Sequence, residues 1–178
     1  MKNQDRLLLK NWRPISLLNC DYKILTKCIA ERLKKVIPKI IHHNQTGFVK
    51  GRNMSDSLRT LLDILDDTVA RNIGGILMTI DFEKAFDSVN LKYLNKALES
   101  FNFGESVRKW VTLFYNNVSS CVMNKNATSA YFDISRGVRQ GDPLSSLLFI
   151  IAVELLAVNI RNNRNINGIN PFLVMKLK

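Results

Sequence analysis

Apolar residues recur at helical spacing in two long segments near the start of this chain. Over 21–41 they fall at three- and four-residue steps with lysines between them, which predicts an amphipathic helix. Asp21 is the predicted N-cap, and Pro38 predicts that the helix ends or kinks there. A second amphipathic helix is predicted over 55–70. The predicted apolar stripe of the first helix comprises Tyr22, Leu25, Ile29, Leu33, Val36 and Ile40.

The pattern changes at 76–80, where the chain is almost continuously apolar. A short run of this kind predicts a strand that is buried on both faces. The segments that follow alternate between helical spacing and strand-like composition. They predict helices over 91–101 and 105–116, then a hairpin with strands over 119–124 and 131–134 and an irregular connection over 125–130.

The most apolar stretch of the chain lies at 144–160. It is short for a membrane span and contains Glu154, Asn159 and two serines, so it predicts a buried core helix over 144–161 and no span of a membrane. A final strand is predicted over 172–175. This order of elements predicts an α+β fold in which helices pack on a small antiparallel sheet.

Length and charge narrow the function classes. The chain has 178 residues, which suits one domain or one domain with part of another. Its net charge of +11 predicts a polyanionic partner, either nucleic acid or an anionic membrane surface. A basic surface without function and a basic helical protein that binds membranes or other proteins remain alternatives. The 3 cysteines have no metal-binding spacing, which favours a reducing compartment without disulfides or zinc.

Candidate chemistry begins with Asp81, which ends the predicted strand at 76–80 and precedes Glu83 and Asp87. A carboxylate fixed at the end of a strand suits a divalent cation, because its hard oxygens are held on a rigid backbone. The alternative is a helix cap, which the sequence favours for Asp87. Phe86 either flanks the sugar of a bound nucleotide or is a core aromatic, and its sequence context favours the core.

A loop with two glycines, 136–143, supplies a second set of candidate residues. Gly137 and Gly141 allow a ligand to approach the backbone closely. Asp142 is a predicted N-cap for the following helix, whose N-terminus suits a phosphate or a template backbone. The side-chain donors of this loop are Arg136, Arg139 and Gln140.

Four segments together resemble the reverse transcriptase of non-LTR (LINE-type) retrotransposons, in the order of that family. They are NWRPISLLN at 11–19, QTGFVKGR at 45–52, IDFEKAFD at 80–87 and RGVRQGDPLS at 136–145. The resemblance implies a right-hand polymerase with a fingers-like region at 1–73 and a partial palm at 74–178. It also implies an RNA template, a DNA primer and deoxynucleoside triphosphates (dNTPs) as partners, with two Mg²⁺ ions as cofactors.

The family assigns roles to individual residues of these segments. Asp81 would bind both metal ions, with the backbone carbonyl of Phe82 as a further ligand. Phe86 would reject the ribose 2′-hydroxyl. The nucleotide contacts implied are Gln140 and Gly141 in the pocket, and Arg13 and Lys23 on the triphosphate. The nucleic-acid contacts implied are Lys50, Arg52, Arg136 and Arg139, with solvated loop charges as the alternative for Lys50 and Arg52.

One departure from the family concerns the acids that complete its metal site. The palm of the family continues into an aromatic-x-Asp-Asp strand, whereas no Asp or Glu follows Glu154 in this sequence. We therefore expect the palm to be truncated before that strand and the 178-residue chain not to polymerise by itself. The alternative is a remnant that binds nucleic acid without chemistry.

Overall fold

The computed structural model describes Leu8 and residues 11–13, 15–166 and 168, so the strand predicted over 172–175 lies outside the described residues. Within them, every helix predicted from the apolar pattern is confirmed, and its bounds differ from the prediction by no more than one residue. The helices are α1 (Cys20–Ile40), α2 (Met54–Ala70), α3 (Leu91–Ser100), α4 (Glu105–Tyr115) and α5 (Ser145–Arg161).

Helix α5 forms the centre of the molecule. Its sequence is apolar on nearly every side, and such a helix is stable only when other elements surround it. Helices α1 and α3 pack against α5, and α4 packs against α3. Glu154 is the buried acid of α5, 2% exposed, and it forms an ion pair with Arg161. No helix in the described part of the chain combines the length and apolarity needed to cross a membrane.

The predicted hairpin is present but tighter than expected. Strand β1 (Ser119–Ser120) pairs antiparallel with β4 (Phe132–Asp133), and β2 (Met123–Asn124) pairs with β3 (Ala127–Thr128). Residues 127–128, predicted to lie in the connection, therefore belong to the ladder. Lys125 adopts a φ of 52°, which allows a tight turn between β2 and β3. Together with the helices, these ladders confirm the α+β class.

The strand predicted over 76–80 is not observed. All of residues 71–80 are exposed, and no backbone hydrogen bond joins 76–80 to another described residue. The prediction is wrong because an apolar run becomes a strand only when a neighbouring strand pairs with it. The described ladders are each two-stranded and lie elsewhere in the sequence.

The exposure of this segment can be measured at Ile76, whose side chain is 97% exposed. We expect Ile76→Lys to change the free energy of unfolding by less than about 0.5 kcal/mol, because the side chain buries nothing. Ile151→Lys in α5 is the control, and it should cost roughly 3 kcal/mol or more because it places an unpaired charge in the core. Denaturant unfolding of both variants decides the matter. A large loss at Ile76 would show that this segment is buried after all.

Two further details of α1 differ from expectation. Asn19 occupies the N-cap position, with Asp21 in the first turn, so the cap prediction for Asp21 is wrong. The helix ends two residues after Pro38, close to the predicted position. The buried row of α1 is Thr26, Ala30, Leu33 and Ile37, whereas Leu25 and Val36 of the predicted stripe are exposed. Tyr22, Ile29 and Leu33 of the predicted stripe do pack on the core, so the stripe is confirmed in part.

Candidate active site

Three segments distant in sequence form one cleft of about 460 Å³. These segments are the chain just before α1, the segment that starts at Asp81, and the loop that leads into α5. The residues that line the cleft are Arg13, Asp81, Phe82, Lys84, Ala85, Phe86, Asp87, Arg139, Gln140, Gly141, Asp142, Ser145 and Ser146. The cleft thus brings Asp81 together with Gln140 and Gly141.

A turn over 83–88 presents Asp81 to the cleft. Lys84 has a φ of 49°, and its carbonyl accepts hydrogen bonds from the backbone N–H groups of Asp87 and Ser88 at 2.9 and 3.0 Å. Because the chain turns directly after Phe82, Glu83 no longer shares a face with Asp81. Asp81 lines the cleft and Glu83 does not.

The glycine loop is fixed to this turn by backbone hydrogen bonds. The N–H of Gly137 donates to the carbonyl of Val89 at 2.8 Å, and the N–H of Val138 donates to that of Phe86 at 2.7 Å. Gly137 has a φ of 93°, and a Cβ placed there would lie 3.0 Å from both Cα and O of Asp87. The close approach of the two backbones therefore requires glycine at this position.

The segment that carries Arg13 is attached to the same loop. The N–H of Ser16 donates to the carbonyl of Gln140 at 3.1 Å. Gly141 has a φ of 103°, and a Cβ there would lie 3.3 Å from the carbonyl oxygen of Ser16. These contacts place Arg13 at the edge of the cleft, as a lining residue.

The side chain of Gln140 is oriented by Asp87. Its Nε2 lies 3.2 Å from each carboxylate oxygen of Asp87. The prediction that Asp87 caps the next helix is wrong, because Asn90 caps α3 and accepts from the N–H of Tyr93 at 3.0 Å. The sequence does not predict this contact, since the spacing of residues carries no signal for a pair 53 positions apart.

Phe86 has the core contacts of an aromatic packing residue and also borders the cleft. It lines the cleft and is half-buried against the core. Its ring stacks on Phe149 of α5, with centroids 5.1 Å apart, and meets Phe48 edge-on at 6.2 Å. These contacts hold the ring as one wall of the cleft.

The predicted cationic residues divide into two groups. Arg13 and Arg139 line the cleft, whereas Lys23, Lys50, Arg52 and Arg136 lie outside its lining. Arg52 instead donates hydrogen bonds to four backbone carbonyls near the end of α1. Six lining residues had no predicted ligand contact, although all lie within or next to the four motifs of the resemblance: Lys84, Ala85, Asp87, Asp142, Ser145 and Ser146.

The acids of the cleft bear on metal binding. Asp81 makes no hydrogen bond or ion pair with another described residue, so its oxygens are available to a ligand. Asp87 and Asp142 are hydrogen-bonded within the protein. No group of three His, Cys, Asp or Glu side chains among the described residues could hold a metal ion. Asp81 is therefore the lining acid whose carboxylate is open to a cation.

Comparisons with known proteins match almost the whole chain. A family model described as "Reverse transcriptase (RNA-dependent DNA polymerase)" matches residues 1–170. The "Transposon TX1 uncharacterized 149 kDa protein" of Xenopus laevis is 37% identical over 86% of this chain and 12% of its own length. The "Retrovirus-related Pol polyprotein from type-1 retrotransposable element R2" of Popillia japonica is 26% identical over 89% of this chain. The match covers 22% of that polyprotein.

Proposed function

Because this chain belongs to the reverse transcriptase (RNA-dependent DNA polymerase) family, we propose that its cleft receives an incoming dNTP opposite an RNA template. Its relatives are proteins of non-LTR retrotransposons, and the chain spans only 12% and 22% of the length of two of them. The activity proposed for the full-length protein is extension of a DNA primer along RNA by nucleotidyl transfer.

One observation carries this proposal: Asp81 and the Gln140–Gly141 loop line the same cleft. A carboxylate without a protein partner can bind a metal ion that the triphosphate brings with it. Arg13, Lys84 and Arg139 supply positive charge in the same cleft, which favours a polyphosphate ligand. The cleft therefore combines an acid for the metal with cations for the phosphates.

Binding of a dNTP by the purified chain tests the proposal directly. We expect Mg²⁺ to tighten binding, and Asp81→Asn to weaken it by about tenfold in the presence of Mg²⁺, because a neutral amide is a poor ligand for this hard cation. Titration of a fluorescent dNTP with and without Mg²⁺ measures both effects. Glu83→Asn is a matched control, since Glu83 lies two residues away and outside the cleft lining. Equal affinities for the wild type and Asp81→Asn would refute a metal role for Asp81.

We also propose that the 178-residue chain binds the nucleotide without extending a primer. A single available carboxylate does not hold two metal ions beside a triphosphate, and two ions are what the family's reaction implies. Primer extension on an RNA template should remain at the level of the Asp81→Asn variant. Extension by the wild type well above that level would contradict this part of the proposal.

A non-catalytic nucleic-acid-binding protein is the second candidate, and the net charge of +11 favours it. In that case RNA or DNA binding would weaken steeply with salt, because bound phosphates release counterions. It would also be indifferent to Mg²⁺ and to Asp81→Asn. The nucleotide titration above therefore separates the two candidates.

The remaining assignments extend the proposal to the rest of the chain. We assign 1–73 to fingers and 74–178 to palm, with Phe86 beside the sugar, where its stacking on Phe149 would keep the ring from yielding to a 2′-hydroxyl. Lys23 would approach the triphosphate from α1. The residues proposed to contact nucleic-acid phosphates are Lys50, Arg52, Arg136 and Arg139.

A further inference from the structure

Asp142 is an acid of the cleft wall that the proposed function leaves without a role. It is 6% exposed and lies two residues after Gln140. Its Oδ1 accepts from the backbone N–H of Leu144 at 3.1 Å. Leu144 itself occupies the N-cap position of α5, without a side-chain cap hydrogen bond, so the prediction that Asp142 is the N-cap is wrong. A carboxylate buried to this extent is stable only when donors surround both oxygens.

The donors to its second oxygen come from two different helices. The hydroxyl of Tyr22, on α1, and that of Tyr115, on α4, each lie 3.4 Å from Oδ2 of Asp142. The Tyr115 hydroxyl is also 3.2 Å from Oγ of Ser145, a cleft residue at the start of α5. Tyr22 and Tyr115, which are 120 and 27 positions away from Asp142 in sequence, thus converge on one of its oxygens.

The guanidinium of Arg139 completes the cluster from within the loop. Its Cζ lies 4.6 Å from the ring centroid of Tyr22 and 5.5 Å from that of Tyr115. A cation over an aromatic face is attracted to the ring. The two tyrosines therefore contact the loop on both sides of Gln140, through Arg139 before it and Asp142 after it.

We propose that Tyr22, Tyr115 and Asp142 form a positioning network that holds the Gln140–Gly141 loop in its binding conformation. The hydroxyls fix the carboxylate, and the carboxylate fixes the turn between the loop and α5. The two tyrosine rings hold Arg139. Since the network acts on residues assigned to nucleotide binding, its functional meaning rests on the proposed function, whereas its effect on the loop does not.

Protonation of the two phenols is consistent with this role. Burial, followed by the negative charge of Asp142, raises the pKa of Tyr22. Burial also raises the pKa of Tyr115. Both hydroxyls therefore keep their protons across the neutral range and remain donors to the carboxylate.

Tyr22→Phe and Tyr115→Phe test the network because each removes one hydroxyl and keeps the ring under Arg139. Tyr93→Phe is the matched control, since its hydroxyl donates to the carbonyl of Ala152 in α5 at 3.2 Å and Tyr93 does not line the cleft. Amide hydrogen exchange of the ligand-free chain reports on the loop. We expect exchange at Leu144 and Ser145 to accelerate about tenfold in either network variant, with amides of α3 unchanged.

The affinity for Mg²⁺–dNTP provides a readout that a purely structural role would not move. It should fall by about tenfold in the double variant Tyr22→Phe/Tyr115→Phe and stay unchanged in Tyr93→Phe. If amide exchange at Leu144 and Ser145 were no faster in the two network variants than in Tyr93→Phe, the network would be overturned. Faster loop exchange with unchanged nucleotide affinity would overturn its role in binding. If the wild type binds no nucleotide, the proposed function fails, and the exchange result still decides whether these residues hold the loop.

Discussion

Gly137→Ala is expected to lower the free energy of unfolding by about 2–4 kcal/mol. The φ of 93° at this position disfavours any residue with a Cβ, and the added atom would lie 3.0 Å from two backbone atoms of Asp87. Because backbone cannot move aside as a flexible side chain does, the loop must separate from the 83–88 turn. This separation would also break the contact of Gln140 with Asp87 and weaken dNTP binding.

Alanine variants at two other glycines separate the two contributions to this loss, which are backbone strain and the close approach to Asp87. Gly51 has a φ of 82°, and a Cβ added there would meet no atom within 4 Å, so Gly51→Ala should cost only the conformational strain, about 1 kcal/mol. Gly74 has equally open surroundings and a φ outside the left-handed region, so Gly74→Ala should be within about 0.5 kcal/mol of the wild type.

Thermal and denaturant unfolding of the three alanine variants measure this order. For a domain of this size, the loss at Gly137 corresponds to a fall of roughly 5–15 °C in Tm. A Gly137→Ala variant as stable as Gly51→Ala would show that the loop and the turn do not approach as closely as the structure has them. Loss of stability with unchanged nucleotide affinity would separate this contact from the cleft.

Arg52→Lys is expected to lower the free energy of unfolding by about 2–3 kcal/mol, although the charge is retained. Nη1 of Arg52 donates to the carbonyls of His42 and Gln45 at 2.6 and 2.8 Å. Nη2 donates to those of Pro38 and Ile41, each at 3.0 Å. The last carbonyls of a helix lack intrahelical partners, and a planar guanidinium reaches several of them where an ammonium cannot.

Lys50→Ala is the control for this prediction. Lys50 is an exposed cation two residues away, and its loss should leave stability within about 0.5 kcal/mol of the wild type. Since the acceptors of Arg52 are carbonyls rather than carboxylates, the loss in Arg52→Lys should change little between low and high salt. Denaturant unfolding at two salt concentrations tests both points. An Arg52→Lys variant with wild-type stability would contradict the role of the guanidinium at the end of α1.

The same two variants also test the contact with nucleic acid that is proposed for Lys50 and Arg52. Lys50→Ala should weaken RNA binding without loss of stability. Any effect of Arg52→Lys on RNA binding must be read together with its effect on folding, because its terminal nitrogens already contact the backbone. Arg52 therefore has a structural function whatever its contact with phosphate.

The order of the helices and the hairpin followed from the amino-acid pattern alone. An α-helix depends on hydrogen bonds between residues four apart, so local spacing carries the necessary information. The key residues of the cleft were also visible locally, since Asp81, Gln140 and Gly141 lie in motifs whose order resembles one family. The family match over residues 1–170 confirmed that resemblance.

Long-range contacts account for what the pattern missed. The run at 76–80 has the composition of a buried strand, yet it is exposed because no described strand pairs with it. Asp87 contacts Gln140 instead of capping a helix, and the buried face of α1 keeps Leu33 of the predicted stripe but leaves Leu25 and Val36 exposed. Each of these outcomes depends on which distant segments approach one another, and the spacing of residues along the chain does not contain that information.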